Sequence, residues 1–422
     1  MSSPTLRPLP GFLCAVLLAS LASKPTLSHP GDSARKKAPE AIRAEPKLNP
    51  IWETPANLMI EPPVLSSGRI YIINSRGILQ ALDSRDGVVR WDVPLLRRLE
   101  TLSGKLTQQP KRPPAPMVAD GHVFVSISSN EEGHLLSVSE QTGKIEWEYV
   151  SRGKVLLRGP ILGPPTIAGR RVFLRTGGGL TAVNLADGKE LWNVPIDPLS
   201  RTVPYGSYMR VVAGDNVVCT GAEAGEARAF RVTDGRSLWT HGSTAMESRQ
   251  NGGQVQRSIT VSRCSPILTG GKVCFVDGKG VAYAVRLRSG TELWRQEIGE
   301  TWQLCAVGDR VYAVTIEGFV ELSLATGKVL RTHELRGGAW SCAMSAGHAI
   351  ICHNPREDAG WEVFDLKRWK TAWVDPDLHT FYGVATLDGM VVAGGIPSKY
   401  VAGGTYQYRP VLRVYRLPTS NG

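Results

Sequence analysis

Short apolar runs, each ended by small or polar turn residues, follow one another along most of the chain. In the stretch 62–94, Arg69 to Asn74 and Ile78 to Asp83 alternate towards apolar and β-branched residues. Ser67-Gly68 and Ser84 to Gly87 interrupt these runs with residues that favour tight turns. Runs of this length and spacing predict four short strands in an antiparallel meander.

One phrase recurs at the end of each such stretch, with the pattern Ala-x-Asp-x-x-Asp-Gly-x-x-x-Trp. Five good copies begin with a small residue and end with Trp, over 81–91, 137–147, 182–192, 229–239 and 284–294. Two worn copies follow: 321–331 has Arg in the Trp place, and 363–373 has Trp369 in the Gly place. A repeat of about 40–50 residues that is poor in helix signals predicts a propeller or a solenoid.

The residue types of the phrase have structural reasons. Gly supplies the positive φ that a tight turn between the third and fourth strands requires. A Trp on the outermost strand can bury a large apolar area between neighbouring sheets while its indole N–H donates to a carbonyl. We therefore interpret the tryptophans as residues that dock one sheet on the next, at Trp52, Trp91, Trp147, Trp192, Trp239, Trp294 and Trp373.

The phrase closely resembles the tryptophan-docking motif of the quinoprotein-type (PQQ-like) propellers, and the resemblance covers nearly the whole mature chain. That family includes dehydrogenases that depend on pyrroloquinoline quinone (PQQ), and non-catalytic relatives that act in outer-membrane assembly. The resemblance implies eight blades. It is specific for the fold and not for quinone binding, because propellers serve many functions.

The copies also give the number of blades. Seven copies define seven blades, and the three strand-like runs after Trp373 lack a fourth strand. The isolated piece 50–53, which carries Trp52, can supply it and leave no open sheet edge. We predict an all-β, eight-bladed β-propeller of four-stranded antiparallel blades, with the last blade closed by the N-terminal strand. Seven blades plus an appendage are the alternative.

The N-terminal region has the composition of an export segment. The apolar run Leu9 to Ala22 is typical of a secretory signal and is too short to span a bilayer. We predict a signal peptide over 1–22, a disordered Pro- and Lys-rich linker over 23–50, and the propeller over 51–417, in which 51–54 complete the last blade. No transmembrane segment is predicted. The protein is expected to be exported, either periplasmic or extracellular, with a place peripheral to an outer membrane among the options.

Of the 7 cysteines, all except Cys14 lie beyond the signal segment. Export permits disulfides. Cys264 with Cys274, and Cys342 with Cys352, flank short turns that would let each pair face across a hairpin. The alternative is that these residues are free thiols buried on strands.

Positive charge is concentrated in the connections between blades. The chain has a formal net charge of +11, and a field of that sign attracts anionic partners. In such a meander these connections lie on the face where the inner strands begin, which we call the top face. The alternative is that the basic side chains are simply solvated. The residues expected to bind a partner there are Arg97, Arg98, Arg152, Lys154, Arg158 and Arg257.

Aromatic residues stand where three of the inner strands are predicted to begin. Trp302 and Trp340 have this position in the sixth and seventh blades, and Tyr382 has it in the eighth. Aromatic faces near basic groups can bind planar rings, sugars or flat anions. We expect these three residues to offer flat contacts at the mouth of the channel, with plain packing of the blade as the alternative.

No catalytic residue and no metal site are indicated, and no cofactor is expected. PQQ with Ca²⁺ enters only if the chain is instead a quinoprotein dehydrogenase that oxidises an alcohol or a sugar. The top loops offer only Asp197, Glu247 and Asn251 as calcium ligands, fewer oxygens than Ca²⁺ requires.

The function predicted from these observations is that of an exported, non-catalytic PQQ-like repeat protein, a scaffold for binding or assembly. Its partner is expected to be a protein or an anionic polymer. Nucleic acid is disfavoured because the sequence contains no recognisable nucleic-acid-binding module. The sequence identifies neither the partner nor an oligomeric state.

Overall fold

The computed structural model describes residues 46–55, 61–96, 113–129, 132–152, 159–196, 210–221, 226–242, 246–251, 254–259, 264–335, 338–345, 347–353, 360–375, 377–397, 401–402, 405–406 and 410–417. All of them belong to one structural unit, Ala44–Gly422. Within this part of the chain, no helix is long and apolar enough to cross a membrane.

Eight sheets of four antiparallel strands form the blades, as predicted. The first strand of the chain, β1 (Trp52–Pro55), belongs to the last blade, and each following blade runs from its inner to its outer strand. Blades 1 to 4 are β2 (Val64–Ser66), β3 (Arg69–Ile73), β4 (Ile78–Asp83), β5 (Val89–Pro94); β6 (Met117–Ala119), β7 (His122–Ser128), β8 (Glu132–Ser139), β9 (Ile145–Arg152); β10 (Thr166–Ala168), β11 (Arg171–Thr176), β12 (Gly179–Asn184), β13 (Glu190–Pro195); and β14 (Val212–Gly214), β15 (Val217–Thr220), β16 (Glu226–Arg231), β17 (Ser237–Gly242).

A separate hairpin of two strands, β18 (Met246–Asn251) and β19 (Gln254–Ile259), lies in the connection between blades 4 and 5. A second two-stranded hairpin is inserted in blade 8. Blades 5 to 8 comprise β20 (Ile267–Thr269), β21 (Lys272–Val276), β22 (Val281–Arg286), β23 (Glu292–Glu297); β24 (Thr301–Val307), β25 (Arg310–Thr315), β26 (Phe319–Ser323), β27 (Val329–His333); β28 (Ala339–Ser345), β29 (His348–His353), β30 (Trp361–Asp365), β31 (Lys370–Asp375); and β32 (Leu378–Leu387), β33 (Met390–Pro397), with the hairpin β34 (Val401–Ala402) and β35 (Thr405–Tyr406), and β36 (Val411–Arg416).

The core lies between neighbouring blades rather than in one central cluster. Between blades 1 and 2, Tyr71 and Leu79 of one sheet meet Val123 and Leu136 of the next, and all four are fully buried. Successive side chains of a strand point to opposite faces of the sheet, and each face packs against one neighbouring blade. We call the contact between two neighbouring blades a seam. The two middle strands of a blade are therefore largely buried, whereas the outer strand β5 has several exposed positions.

Six indoles make the same contact from one blade to the next. Each Nε1–H donates to a backbone carbonyl in the turn between the third and fourth strands of the following blade, at 2.8–3.1 Å. The donor and acceptor residues are Trp52 and Ser84, Trp91 and Glu140, Trp147 and Leu185, Trp192 and Val232, Trp239 and Leu287, and Trp294 and Leu324. We propose that these bonds, together with burial of the rings, hold the blades side by side.

The seam between blades 6 and 7 uses a cation in place of an indole. Arg331 stands in the Trp place, and its Nη2 donates to the Leu366 carbonyl at 3.0 Å. Its hydrogen bond with Glu321 raises the pKa of the Arg331 guanidinium, which therefore keeps its positive charge. Its Cζ also lies 4.2 Å from the ring centroid of Trp369, which occupies the Gly place at φ 56°. In this seam the aromatic ring therefore belongs to Trp369 of blade 7, and blade 6 contributes the cation of Arg331.

The N-terminal strand closes the ring, as predicted. β1 pairs antiparallel with β36, with Trp52 opposite Val414 and Pro55 opposite Val411. The third and fourth strands of blade 8 therefore come from opposite ends of the chain, and no turn joins them. Because Trp373 has no such turn to dock on, it packs in the cluster between blades 7 and 8 instead.

The fold begins earlier than the predicted boundary at residue 51. Lys47 forms a parallel bridge with Val374 of β31, and its side chain is ion-paired with Asp377. Leu48 is buried in the cluster between blades 7 and 8. Residues 46–50, which composition assigns to the linker, therefore belong to the propeller. A single leucine in a polar stretch has no periodicity that would reveal this.

The predicted disulfide pairs are not the pairs that the fold brings together. Cys352 lies opposite Ser341, the neighbour of Cys342, so Cys342 and Cys352 point to opposite faces of blade 7. Cys264 precedes β20, whereas Cys274 pairs with a residue inside that strand. Turn spacing does not fix the register of a hairpin, and the register decides which side chains meet.

Candidate partner-binding surface

The inner strands of the last three blades are longer than those of the others. In blades 1 to 5 the inner strand has 3 residues, whereas β24 and β28 have 7 and β32 has 10. All eight strands end at the hairpin that leads to the second strand of their blade, so the added residues lie at the other end, where the strand begins. Blades 6 to 8 therefore extend their inner strands towards the top face.

β-Bulges in two of the longer strands carry the predicted tryptophans. The register between β24 and β25 skips Trp302, and the register between β28 and β29 skips Trp340. Each Trp is therefore the extra residue of a bulge. Bulges redirect side chains away from the regular alternation and are common beside binding sites.

The two bulged tryptophans contact each other across the seam between blades 6 and 7. Their ring centroids are 6.4 Å apart and their planes are inclined by 31°. Trp340 is 42 % exposed, the one aromatic among the strongly exposed large hydrophobic side chains of the described residues, and Trp302 is half-buried. An exposed aromatic pair on rigid strands is a suitable anchor for an apolar group of a partner.

The third bulge lies in β32 of blade 8. Its register passes from Thr380 to Val384, which leaves residues 381–383 without cross-strand partners. Tyr382 is one of these residues. It lies within β32 rather than at the start of the strand, where it was predicted, and its side chain lies outside the described part of the chain. The three aromatic positions that the sequence singles out thus share a structural feature that a sequence pattern does not show.

The basic residues predicted on the top face are only partly described. Arg152 ends β9 and pairs its Nε with Glu132 Oε1 at 3.3 Å, although 75 % of its side chain is exposed. Arg257 lies on β19 opposite Ser248, and its side chain is outside the described residues. Also outside are Arg97, Arg98, Lys154 and Arg158.

The connection between blades 4 and 5 contains regular structure. Within 241–263, β18 and β19 pair as a hairpin. Both strands are mostly polar and lack the alternation that marks a half-buried strand, so the usual signal is missing.

No metal centre is found among the described residues. No three of their acidic, histidine or cysteine side chains lie close enough together to hold a metal ion. Asp197 lies outside the described residues, and Glu247 and Asn251 are described only as backbone of β18.

The family model described as "Outer membrane protein assembly factor BamB" matches residues 76–333, more than half of the 422-residue chain. Two curated proteins of that name, from Moranella endobia (strain PCIT) and Escherichia coli (strain K12), are 24 % and 26 % identical to it over 256 and 275 residues. The alignments cover 60 % and 62 % of this chain, and 61 % and 64 % of the relatives. The chain therefore spans less than two thirds of the length of these relatives.

Solved structures share the fold at low sequence identity. The crystal structure of BamB from Moraxella catarrhalis has a TM-score of 0.60 and 14 % identity, over 88 % of this chain and 100 % of that one. A europium-containing methanol dehydrogenase has a TM-score of 0.62 and 12 % identity, over 88 % and 93 %. The likeness concerns the fold alone, which an assembly factor and a dehydrogenase share.

Proposed function

The chain belongs to the family of the outer membrane protein assembly factor BamB, and on that premise we propose that it is a non-catalytic scaffold in outer membrane protein assembly. Of the locations that the sequence left open, this membership supports the periplasm, peripheral to an outer membrane. A scaffold needs a rigid body and an exposed binding surface. The closed ring of blades is the rigid body. The proposed binding surface is the set of bulged inner strands β24, β28 and β32 at the top face of blades 6 to 8.

The aromatic pair is the observation that carries this proposal. The six indoles that dock on the next blade are buried or half-buried in their seams, and Trp239 and Trp294 are the most buried of them. Trp340 is instead displaced from the strand register by a bulge, is 42 % exposed and lies against a second indole. A partner that covers this exposed apolar area gains binding free energy.

The partner that fits this surface is a protein segment with apolar or aromatic side chains. Strands of outer membrane proteins have this character, because every second residue faces lipid after assembly. Their lipid-facing side chains are uncovered before assembly and need a protected surface. The basic residues predicted on the top face would add attraction for acidic segments of the same partner.

The test uses the host organism of the chain. Deleting the gene should lower the amount of folded outer membrane β-barrel proteins, measured as heat-modifiable bands on gels. Wild-type protein should restore it. The double variant Trp302→Ala/Trp340→Ala should restore much less, because truncating two anchor residues weakens binding by roughly 10-fold or more.

Leu330→Ala is the matched control. Leu330 is exposed to nearly the same fraction as Trp340, 41 % against 42 %, but it lies on the outer strand β27. This variant should restore the β-barrel proteins fully, and both variants should reach wild-type amounts in the envelope. Full restoration by the double variant would contradict the binding surface, and an unchanged outer membrane after deletion would contradict the function.

A further inference from the structure

Two cysteine sulfurs meet in the seam between blades 6 and 7. The Sγ atoms of Cys305 on β24 and Cys342 on β28 are 3.1 Å apart. A disulfide bond is about 2 Å long, so the two sulfurs need to approach by only about 1 Å. The alternation along the two strands explains the meeting, because it turns both side chains into the hydrophobic cluster between these blades.

The side chain of Gln303 clamps the two inner strands together at this point. Its Nε2 donates to the Cys342 carbonyl at 2.8 Å, and its Oε1 accepts a hydrogen bond from the Cys342 N–H at 3.0 Å. These two bonds fix the backbone of Cys342 against β24. A side chain of blade 6 bonded to the main chain of blade 7 therefore fixes the two strands beside each other where the thiols meet.

We propose that Cys305 and Cys342 form a disulfide that joins the inner strands of blades 6 and 7 in the exported protein. The reaction is exchange with a small-molecule or protein disulfide. The two thiols lose two protons and two electrons, their S–S bond forms, and the oxidant is reduced to two thiols. Compartments outside the cytoplasm supply such oxidants. The proposal does not depend on the partner-binding function.

The folded protein should oxidise slowly. The hydrogen bond with Cys305, and then burial, raise the pKa of the Cys342 thiol. Because the thiolate is the attacking species, a raised pKa slows exchange. We therefore expect the bond to form while blades 6 and 7 dock, before the seam closes, and to resist reductant in the folded state.

The other thiols are less well placed for this bond. Cys352 lies on the opposite face of blade 7, where burial raises the pKa of its thiol to about 11. Cys264 packs in the next seam, between blades 5 and 6. The alternative to a disulfide is that Cys305 and Cys342 together bind a soft metal ion.

The disulfide would lie close to the proposed binding surface. Cys305 follows Trp302 by three residues on β24, and Cys342 follows Trp340 by two on β28. A covalent bond between these strands would fix the spacing of the two bulges that carry the aromatic pair.

The test is thiol labelling of the mature chain, purified without reductant from an oxidising compartment. Unfolding in an alkylating reagent should leave two cysteines unlabelled, and a protease digest should contain one linked pair of peptides, bearing Cys305 and Cys342. Prior reduction under denaturing conditions should remove that pair and label every thiol. The reduced protein should melt several degrees lower after refolding, because a cross-link restrains the unfolded chain.

Cys305→Ala should abolish the linked peptides and make the melting temperature insensitive to reduction. Cys219→Ala, which removes a buried thiol from blade 4, should leave the linked peptides unchanged. If Cys305→Ala fails to fold, oxidised and reduced wild type still decide the question. Labelling of every thiol without reductant, as for a free or metal-bound pair, would overturn the proposal, and so would linked peptides bearing Cys264 or Cys352.

Discussion

The glycine of the repeated phrase decides how closely a docking indole can approach the next blade. Gly235 has a φ of 72°, and a Cβ added there would lie 2.8 Å from Trp192 Cε3 and 2.6 Å from Val194 Cγ2. Gly68 has nearly the same φ, 73°, but nothing lies within 4 Å of its Cβ position. The two positions therefore separate the cost of a left-handed backbone from the cost of crowding the indole.

We expect Gly68→Ala to lower the free energy of unfolding by about 1–2 kcal/mol, the penalty for a side chain in the left-handed region. Gly235→Ala should lower it by about 1–3 kcal/mol more, because Trp192 or Val194 must shift within the seam. Thermal and urea unfolding of the two variants, measured side by side, checks the difference. Equal losses would show that the turn does not hold the indole, and would contradict the docking role.

The two worn copies of the phrase show what a residue-by-residue comparison with a motif misses. Arg331 and Trp369 each look like the loss of a motif residue. In the structure they contact each other, and Arg331 keeps a hydrogen bond to the turn of the next blade. Departures from the motif in two consecutive copies indicate that one replacement compensates for the other. Only the contact between the two blades shows that these two residues form the compensating pair.

Among the elements, β1 is the strand whose loss would open the ring. Trp52 of β1 donates to Ser84 of blade 1, and Arg413 of β36 donates to Glu53 of β1 at 2.6 Å. Without β1, β36 would present an unpaired edge to solvent, the kind of edge through which sheets associate.

A chain that begins at Glu61 should therefore unfold at a lower temperature and associate. The loss should exceed about 3 kcal/mol, because the half-buried indole of Trp52 and the pairing of β1 with β36 are both removed. Melting curves and light scattering measure both effects.

A chain that begins at Pro46 is the control and should behave as wild type. A peptide of residues 46–55 should rescue the short chain, and the same peptide with Trp52→Ala should not. A stable monomer from the short chain would mean that the ring does not need β1.

The regular elements were predictable because each blade repeats the same turn chemistry and apolar pattern. The eighth blade followed from counting strands, since an unpaired edge is unfavourable. The bulges at Trp302 and Trp340 were not predictable, because a bulge depends on cross-strand register. The meeting of Cys305 and Cys342 was hidden for the same reason, as it depends on two strands from different blades.

For the whole molecule, the question is whether the ring holds a cofactor or only presents a surface. A dehydrogenase of this fold needs oxygen ligands for calcium near the channel and a space for a flat quinone. Among the described residues, no three His, Cys, Asp or Glu side chains are grouped so that they could hold a metal ion. The aromatic pair of Trp302 and Trp340 remains open to solvent through Trp340, which suits a surface and not an enclosed pocket.

We therefore expect titration of the mature chain with PQQ and Ca²⁺ to give no saturable quenching of tryptophan fluorescence. Reduction of a dye with alcohols or sugars should not exceed the rate without protein. A PQQ-dependent dehydrogenase measured in parallel is the positive control. Because Trp302 and Trp340 would report a planar quinone at the top face, stoichiometric quenching that the double alanine variant abolishes would place a cofactor on the proposed binding surface. Turnover accompanying that quenching would replace the scaffold by an oxidoreductase whose ligands lie in the remaining loops.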